Sequence, residues 1–251
     1  MSKSEGGGGC CGGGKKTKGG AGAQGAGGLS VKNAEPFRQV YKPQNSTLLS
    51  QQPMQQKMIE AKVVLLGDSG VGKSSIAQRF IKNIFPDQYD VTIGGAYFQQ
   101  TISLSPNEAG GLGTQVKLHI WDTGGSEKFR SMIKLYYKDA AAAIICYDVS
   151  DEKTFQSVYY WINQMNENAS NTGEGANFVM ALAGNKCDLD PAQVKIPLET
   201  AIEVAKKHNM IHAETSAKSG KGVQELFKKI AEKIVISRMM GEQNGNSHDL
   251  Y

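Results

Sequence analysis

Cysteine is scarce in this chain: four residues in 251, at positions 10, 11, 146 and 187. That number and spacing exclude a disulfide framework and a cysteine-rich metal site, and they fit a reducing, cytosolic compartment. Cys146 lies inside an apolar run, where a thiol packs as a small hydrophobe. Long hydrophobic runs are also missing. No stretch of about 18 apolar residues exists to cross a bilayer, and the N-terminus lacks the apolar segment of a cleavable signal. Apolar residues are almost absent from one whole region. Residues 1–30 hold 13 of the 30 glycines, and residues 31–58 remain polar. Such a segment cannot bury enough surface to offset its ordering entropy, so 1–58 is expected to be a disordered, Gly-rich, basic arm. One domain is expected over 59–239 and a polar, flexible tail over 240–251.

Acidic charge is missing from the same region. The net charge is +4, but residues 1–60 carry eight Lys or Arg against three Glu, which leaves −1 for the rest. A near-neutral domain argues against a folded nucleic-acid surface. The cluster Lys15, Lys16 and Lys18 can attract an anionic membrane at about 1 kcal/mol per charge. The competing reading is a solvated tail.

From residue 61 the chain acquires a rhythm. AKVVLLG (61–67) is a short apolar run closed by Gly, as a buried parallel strand should be. KSSIAQRFIKNIF (73–85) has apolar residues at helical spacing. YFQQTISL (97–104) and QVKLHIW (115–121) alternate and predict an antiparallel pair joined by a long loop. Strands at 141–148, 178–184 and 210–216 then alternate with helices at 153–165, 198–209 and 223–239. This order predicts an α/β fold: a mostly parallel six-stranded sheet, one antiparallel edge strand, helices on both faces. Function in such a sheet sits in the loops after the carboxyl ends of the strands.

The first such loop, GDSGVGKS (67–74), fits G-x-x-x-x-G-K-[ST] between a strand and a helix. It is a P-loop. Asp68, Ser69, Gly70, Val71, Gly72, Lys73, Ser74 and Ser75 would wrap a diphosphate, with backbone N–H groups and a helix N-terminus facing it. Lys73 would neutralise phosphate oxygens and Ser74 would ligate Mg²⁺. In WDTGG (121–125), Asp122 is a candidate metal ligand and the glycines permit close approach of backbone to an anion. In GNKCDLD, Asp188 can accept from a ring N–H and an exocyclic amine, a donor pair that guanine presents and adenine does not. Asn185 and Lys186 would support and cover the base. In TSAK, the Ala217 N–H would meet the guanine carbonyl, flanked by Ser216 and Lys218.

GDSGVGKS, WDTGG, GNKCD and TSAK in this order resemble the Ras superfamily of small GTPases. The segments IGGAY (93–97), KLHIWDTGGSE (117–127), KFRSM (128–132) and YYKDAAAAIICYDVS (136–150) resemble those that mark its Rab family, with the early-endosomal subgroup most similar. The resemblance covers about residues 60–238 and implies a P-loop G domain that binds GTP and GDP with Mg²⁺. Thr92 follows Lys73 by 19 residues, the family's spacing for the Thr of the first switch, which would complete the Mg²⁺ shell. The resemblance further places Phe85 against the base, Tyr89 over the phosphates, and the Gly125 N–H on the γ-phosphate. Loss of that phosphate would release both switch loops. Ile93, Tyr97, Trp121 and Tyr136 match the effector surface, with Tyr97 where the family usually has Phe. Effectors, an exchange factor and a GTPase-activating protein are the implied partners of a monomer that regulates vesicle and endosomal traffic.

Two features depart from the pattern. Ser126 stands where the family has a Gln that orients the attacking water, and it is about two bonds shorter than that amide. Slow intrinsic hydrolysis is the expectation, with Gly125, Thr92 and Lys73 intact around the reacting phosphate. Gly124 replaces the usual Ala and adds flexibility. The chain also ends HDLY with no Cys after Cys187, and residue 2 is Ser, so neither C-terminal prenylation nor N-myristoylation is expected. Cys10 and Cys11 beside the lysine cluster are candidates for S-acylation and peripheral attachment to endomembranes. Two alternatives stand beside the switch: a GTP-locked binding module with negligible hydrolysis, and an adenine-nucleotide P-loop kinase, against which Asp188 argues.

Overall fold

The computed structural model describes residues 57–86, 91–109, 113–125, 136, 138–168 and 177–245. Tyr89, Ser126, Cys10 and Cys11 lie outside these residues. Among the described residues the elements run β1 (Lys57–Leu66), α1 (Lys73–Lys82), β2 (Gly95–Leu104), β3 (Thr114–Thr123), β4 (Ala142–Asp148), α2 (Glu152–Asn168), β5 (Val179–Asn185), α3 (Leu198–Lys207), β6 (Ile211–Glu214) and α4 (Val223–Gly245).

The six strands form one sheet in the order β2-β3-β1-β4-β5-β6. Only β2 is antiparallel, paired with β3 through Tyr97↔Trp121 and Ile102↔Val116, and it lies at the edge. The other neighbours are parallel. β4 is buried along its whole length, which explains its unbroken apolar sequence.

The two-residue period of each strand divides the core into two layers. Val63, Leu65 and Ile144 face α1 and α4, where Ile76, Phe80, Phe227 and Ile230 close the layer. Val64, Leu66 and Ile145 face α2 and α3 through Val158, Trp161, Ile162 and Val204. Phe80 and Phe227 stack with centroids 3.9 Å apart and planes 15° from parallel. No helix among the described residues is long and apolar enough to cross a membrane.

Several boundaries differ from the sequence reading. β1 begins at Lys57, four residues before the apolar run, because Lys57–Glu60 pair with Thr114–Lys117 of β3. α1 stops at Lys82 because Asn83 adopts a left-handed conformation, φ 53°, and turns the chain. α4 continues to Gly245, past the expected end at 239. The β2–β3 connection starts with a side-chain-closed turn: the Ser105 N–H and Oγ both donate to Glu108 Oε2 at 2.8 Å.

Candidate functional site

Four strand ends converge on one pocket of about 380 Å³, within the ~300–1,000 Å³ range of small-molecule sites. The loop after β1 contributes Ser69, Gly70 and Gly72, and α1 contributes Lys73, Ser74 and Ser75. The end of β3 supplies Thr123 and Gly125, the β5 loop Asn185, Lys186, Asp188 and Leu189, and the β6 loop Ala217 and Lys218. Phe85, Val91 and Thr92 complete the wall.

The first loop is shaped by its glycines. Gly70 and Gly72 have φ 81° and 94°, values that residues with a Cβ rarely adopt. At Gly72 a Cβ would also lie 2.3 Å from Asn185 Nδ2. The left-handed turn delivers Lys73 and Ser74 to the first turn of α1, whose free N–H groups favour an anion. Lys73 is 5% exposed, and its Nζ donates to the carbonyls of Gly67 and Asp68 at 2.8 and 2.9 Å. Burial lowers its pKa, against the raising influence of nearby Cys146, Asp122 and Asp68. A bound anion would offset that desolvation.

Beside it three side-chain oxygens meet. Ser74 Oγ donates to Asp122 Oδ2 at 2.5 Å and lies 2.7 Å from Thr92 Oγ1, which is 3.5 Å from the same Oδ2. Asp122 is 1% exposed, and its Oδ1 is buried with no hydrogen-bond partner. Burial raises the Asp122 pKa, opposed by Ser74, Lys73 and Thr92. A buried carboxylate oxygen without a donor is costly and suits a cation. The donor set is hard oxygen with one carboxylate. That fits Mg²⁺, which takes few protein ligands and completes its shell with water and phosphate. Gly125 packs against the first loop: a Cβ there would come within 2.5 Å of Asp68 C and Ser69 N.

Asn185 lies against the first loop and joins it to the loop after β6. It is 2% exposed, and its Nδ2 donates to the Val71 carbonyl at 2.8 Å. Its Oδ1 accepts from the Ala217 N–H at 3.2 Å and from Thr215 Oγ1 at 3.4 Å. The amide ties three loops together, and in this structure the Ala217 N–H is directed at it. Asp188 is held by Ser216, whose Oγ donates to Oδ1 at 2.5 Å and accepts from the Ser219 N–H at 2.9 Å. Lys186, in a left-handed conformation with φ 67°, has its Nζ 2.6 Å from Asp148 Oδ2. Burial disfavours the charged Asp148 carboxylate, but Lys186 and Ser150 outweigh it and lower the pKa. Asp148 and Leu189 were not singled out in sequence. The available signal for Asp148 was a charge closing the apolar run of β4.

The predicted aromatic surface lies on the sheet's β2 side. Tyr97 and Trp121 meet edge-on at 5.4 Å, and Trp121 and Tyr136 lie 5.6 Å apart. Tyr97 is 48% and Ile93 83% exposed. The Tyr97 hydroxyl is 2.6 Å from His119 Nδ1, and Lys62 Nζ lies 5.2 Å above the Trp121 ring.

Comparison with known proteins agrees with this geometry. The Ras family model matches residues 62–236. "Ras-related protein RABF2b" of Arabidopsis thaliana is 42% identical over 178 residues, covering 71% of this chain and 82% of the relative. "Ras-related protein Rab-5A" of Dictyostelium discoideum is 39% identical over 178 residues, with the same shares of each chain. "GTP-binding protein ypt5" of Schizosaccharomyces pombe is 39% identical over 187 residues, 74% of this chain and 85% of that one. The chain belongs to the Rab group of the Ras family. The expected P-loop GTPase fold is therefore present, and the relatives named Rab-5 fit the early-endosomal resemblance. The four motif loops of this Rab all fall inside the matched residues.

Proposed function

We propose that this Rab is a guanine-nucleotide switch that recruits effectors in its GTP state at endosomal membranes and hydrolyses GTP slowly by itself. The observation that carries this reading is one pocket lined both by the Ser74 and Thr92 hydroxyls, backed by the buried Asp122 carboxylate, and by Asp188.

In this reading Asp188 accepts from the guanine edge while Phe85 and Lys186 flank the ring. Lys73 and the N–H groups of residues 68–75 hold the phosphates. Ser74, Thr92 and Asp122 would hold Mg²⁺, which supplies charge neutralisation at the phosphates. Thr92 and the Gly125 N–H respond to the γ-phosphate, and Tyr89 covers it. Departure of the phosphate removes those bonds and releases the loops, which changes the neighbouring surface of Ile93, Tyr97, Trp121 and Tyr136. Large amphipathic rings grouped beside a switch suit partner binding.

Ser126 is too short to position water as an amide would, so the intrinsic rate is low and a GTPase-activating protein would have to complete the site. An exchange factor would reload it. The assignment further comprises a monomeric domain, expected over 59–239 and extended by β1 to Lys57 and by the last helix to Gly245, with an arm before it and a tail after it. The arm's Cys10 and Cys11, acylated, would combine with its lysines in two-signal membrane attachment. The second reading, a module that keeps GTP and hydrolyses almost none, rests on the same Ser126.

A single-turnover GTPase assay tests the hydrolytic part. Ser126→Gln should raise the basal rate by roughly tenfold or more if an amide restores water positioning. Equal rates in the two proteins would refute it.

A further inference from the structure

Arg79 lies in the last turn of α1, half-buried, at a position where an arginine is ordinarily a solvated charge. Its guanidinium instead crosses to the loop after β6. Nε donates to the Ala217 carbonyl at 2.7 Å and Nη2 to the Lys218 carbonyl at 2.7 Å. Nη1 turns the other way, to Asn83 O at 2.7 Å and Asn83 Oδ1 at 3.2 Å. All four acceptors are neutral oxygens, so the group works as a rigid fork rather than as half of an ion pair.

What the fork grips is specific. Ala217 and Lys218 line the nucleotide pocket. Asn83 closes α1 with φ 53°, its N–H bonded to the Arg79 carbonyl at 3.0 Å. Two residues later Phe85 lines the same pocket. One side chain thus fixes both the segment that leads to Phe85 and the loop that carries Ala217. Gly220 lies against its stem, where a Cβ would come 3.6 Å from Arg79 Cδ. A separate tie, between α1 and α4, has Gln224 Nε2 donating to the Phe80 carbonyl at 3.1 Å and grips no pocket-lining residue.

We propose that Arg79 is a positioning residue for the base slot: its planar fork sets the placement of Phe85 relative to Ala217 and Lys218, and so governs how tightly and how selectively a guanine base is held. This inference rests on the guanine reading above. Loosening the slot should cost most for the ligand whose contacts demand the closest geometry. GDP offers Asp188 a ring N–H and an exocyclic amine, whereas inosine diphosphate lacks the amine and has less to lose.

The test is release of fluorescent GDP and of the matching inosine diphosphate at saturating Mg²⁺. The variants are Arg79→Met, which keeps the stem, Arg79→Lys, which keeps the charge, and Gln224→Leu as the non-pocket control. GDP release should quicken roughly tenfold in both Arg79 variants, the size of a lost charged hydrogen bond. Inosine diphosphate release should quicken less, so the ratio between the two ligands shrinks. Gln224→Leu should leave that ratio unchanged. Several results would overturn the proposal: unchanged GDP release in either Arg79 variant, equal acceleration of both ligands as from general destabilisation, or the same shrinkage in Gln224→Leu. If Arg79→Met fails to fold, Arg79→Lys alone decides by the same ratio. A wild-type protein that releases ADP as slowly as GDP would instead defeat the guanine reading, whatever Arg79 does.

Discussion

Asp122 shows how much chemistry one side chain can hold in this site. Its Oδ2 takes the Ser74 hydroxyl at 2.5 Å, while Oδ1 is buried and unpartnered. If that oxygen serves Mg²⁺, Asp122→Asn should make nucleotide release fast and nearly insensitive to EDTA. The measurement is release of fluorescent GDP with and without chelator, and a variant that keeps the wild-type EDTA response would exclude the role. Lys73 is the complementary case. Its burial already works against its charge, and a bound phosphate would offset that burial. Lys73→Met should weaken GDP binding by roughly 10–100-fold in direct titration. Both residues were legible in the sequence, since a P-loop Lys and an Asp at a strand end advertise their positions. Asn185 was legible as a member of the site and not in its task. Its amide bonds join Val71, Thr215 and Ala217 across long stretches of chain, and no local pattern encodes such a tie.

Between elements the decisive contacts are close approaches. Gly125 follows β3 and lies so near the first loop that a Cβ would sit 2.5 Å from Asp68 C and Ser69 N. Gly125→Ala must therefore push the two loops apart. GTP binding should weaken more than GDP binding, because the triphosphate needs both loops together; a titration giving equal losses would count against this. On the sheet's face, Phe227 is fully buried and stacks on Phe80. Phe227→Ala should cost about 3–5 kcal/mol, read from the denaturant midpoint. Strand and helix order followed from apolar runs and periods. The ends did not, because partners set them. Lys57–Glu60 set Met58 and Ile59 between charges and become strand by pairing with β3, and α1 ends where Asn83 turns left-handed, which apolar spacing does not register.

Over the whole molecule, the β2–β3 connection is fastened to the last helix by the ion pair Glu108–Lys228. Lys228, and then the Ser105 N–H and hydroxyl, hold the Glu108 pKa down at about 2, below its ordinary value of 4.5. A depressed carboxylate pKa stabilises the fold above its ordinary value, and that contribution is lost as pH falls toward the folded one. The melting temperatures of wild type and Glu108→Gln should therefore differ at neutral pH and converge between about pH 4.5 and 2. A constant difference across that range would assign the effect to something other than this charge. The sheet's arrangement, with four loops gathered at the strand ends, was readable from motif order because each motif followed a strand. Arg79 was not readable, since its two acceptors in the pocket-lining loop lie 138 and 139 residues away. The central claim is that this pocket holds a guanine nucleotide with Mg²⁺, and the nucleotide carried by the purified chain tests it most directly. Protein denatured and analysed by ion-exchange chromatography should yield GDP or GTP at close to one per chain, displaced by added GTP and not by ATP. Recovery of adenine nucleotide, or equal displacement by ATP, would contradict the account.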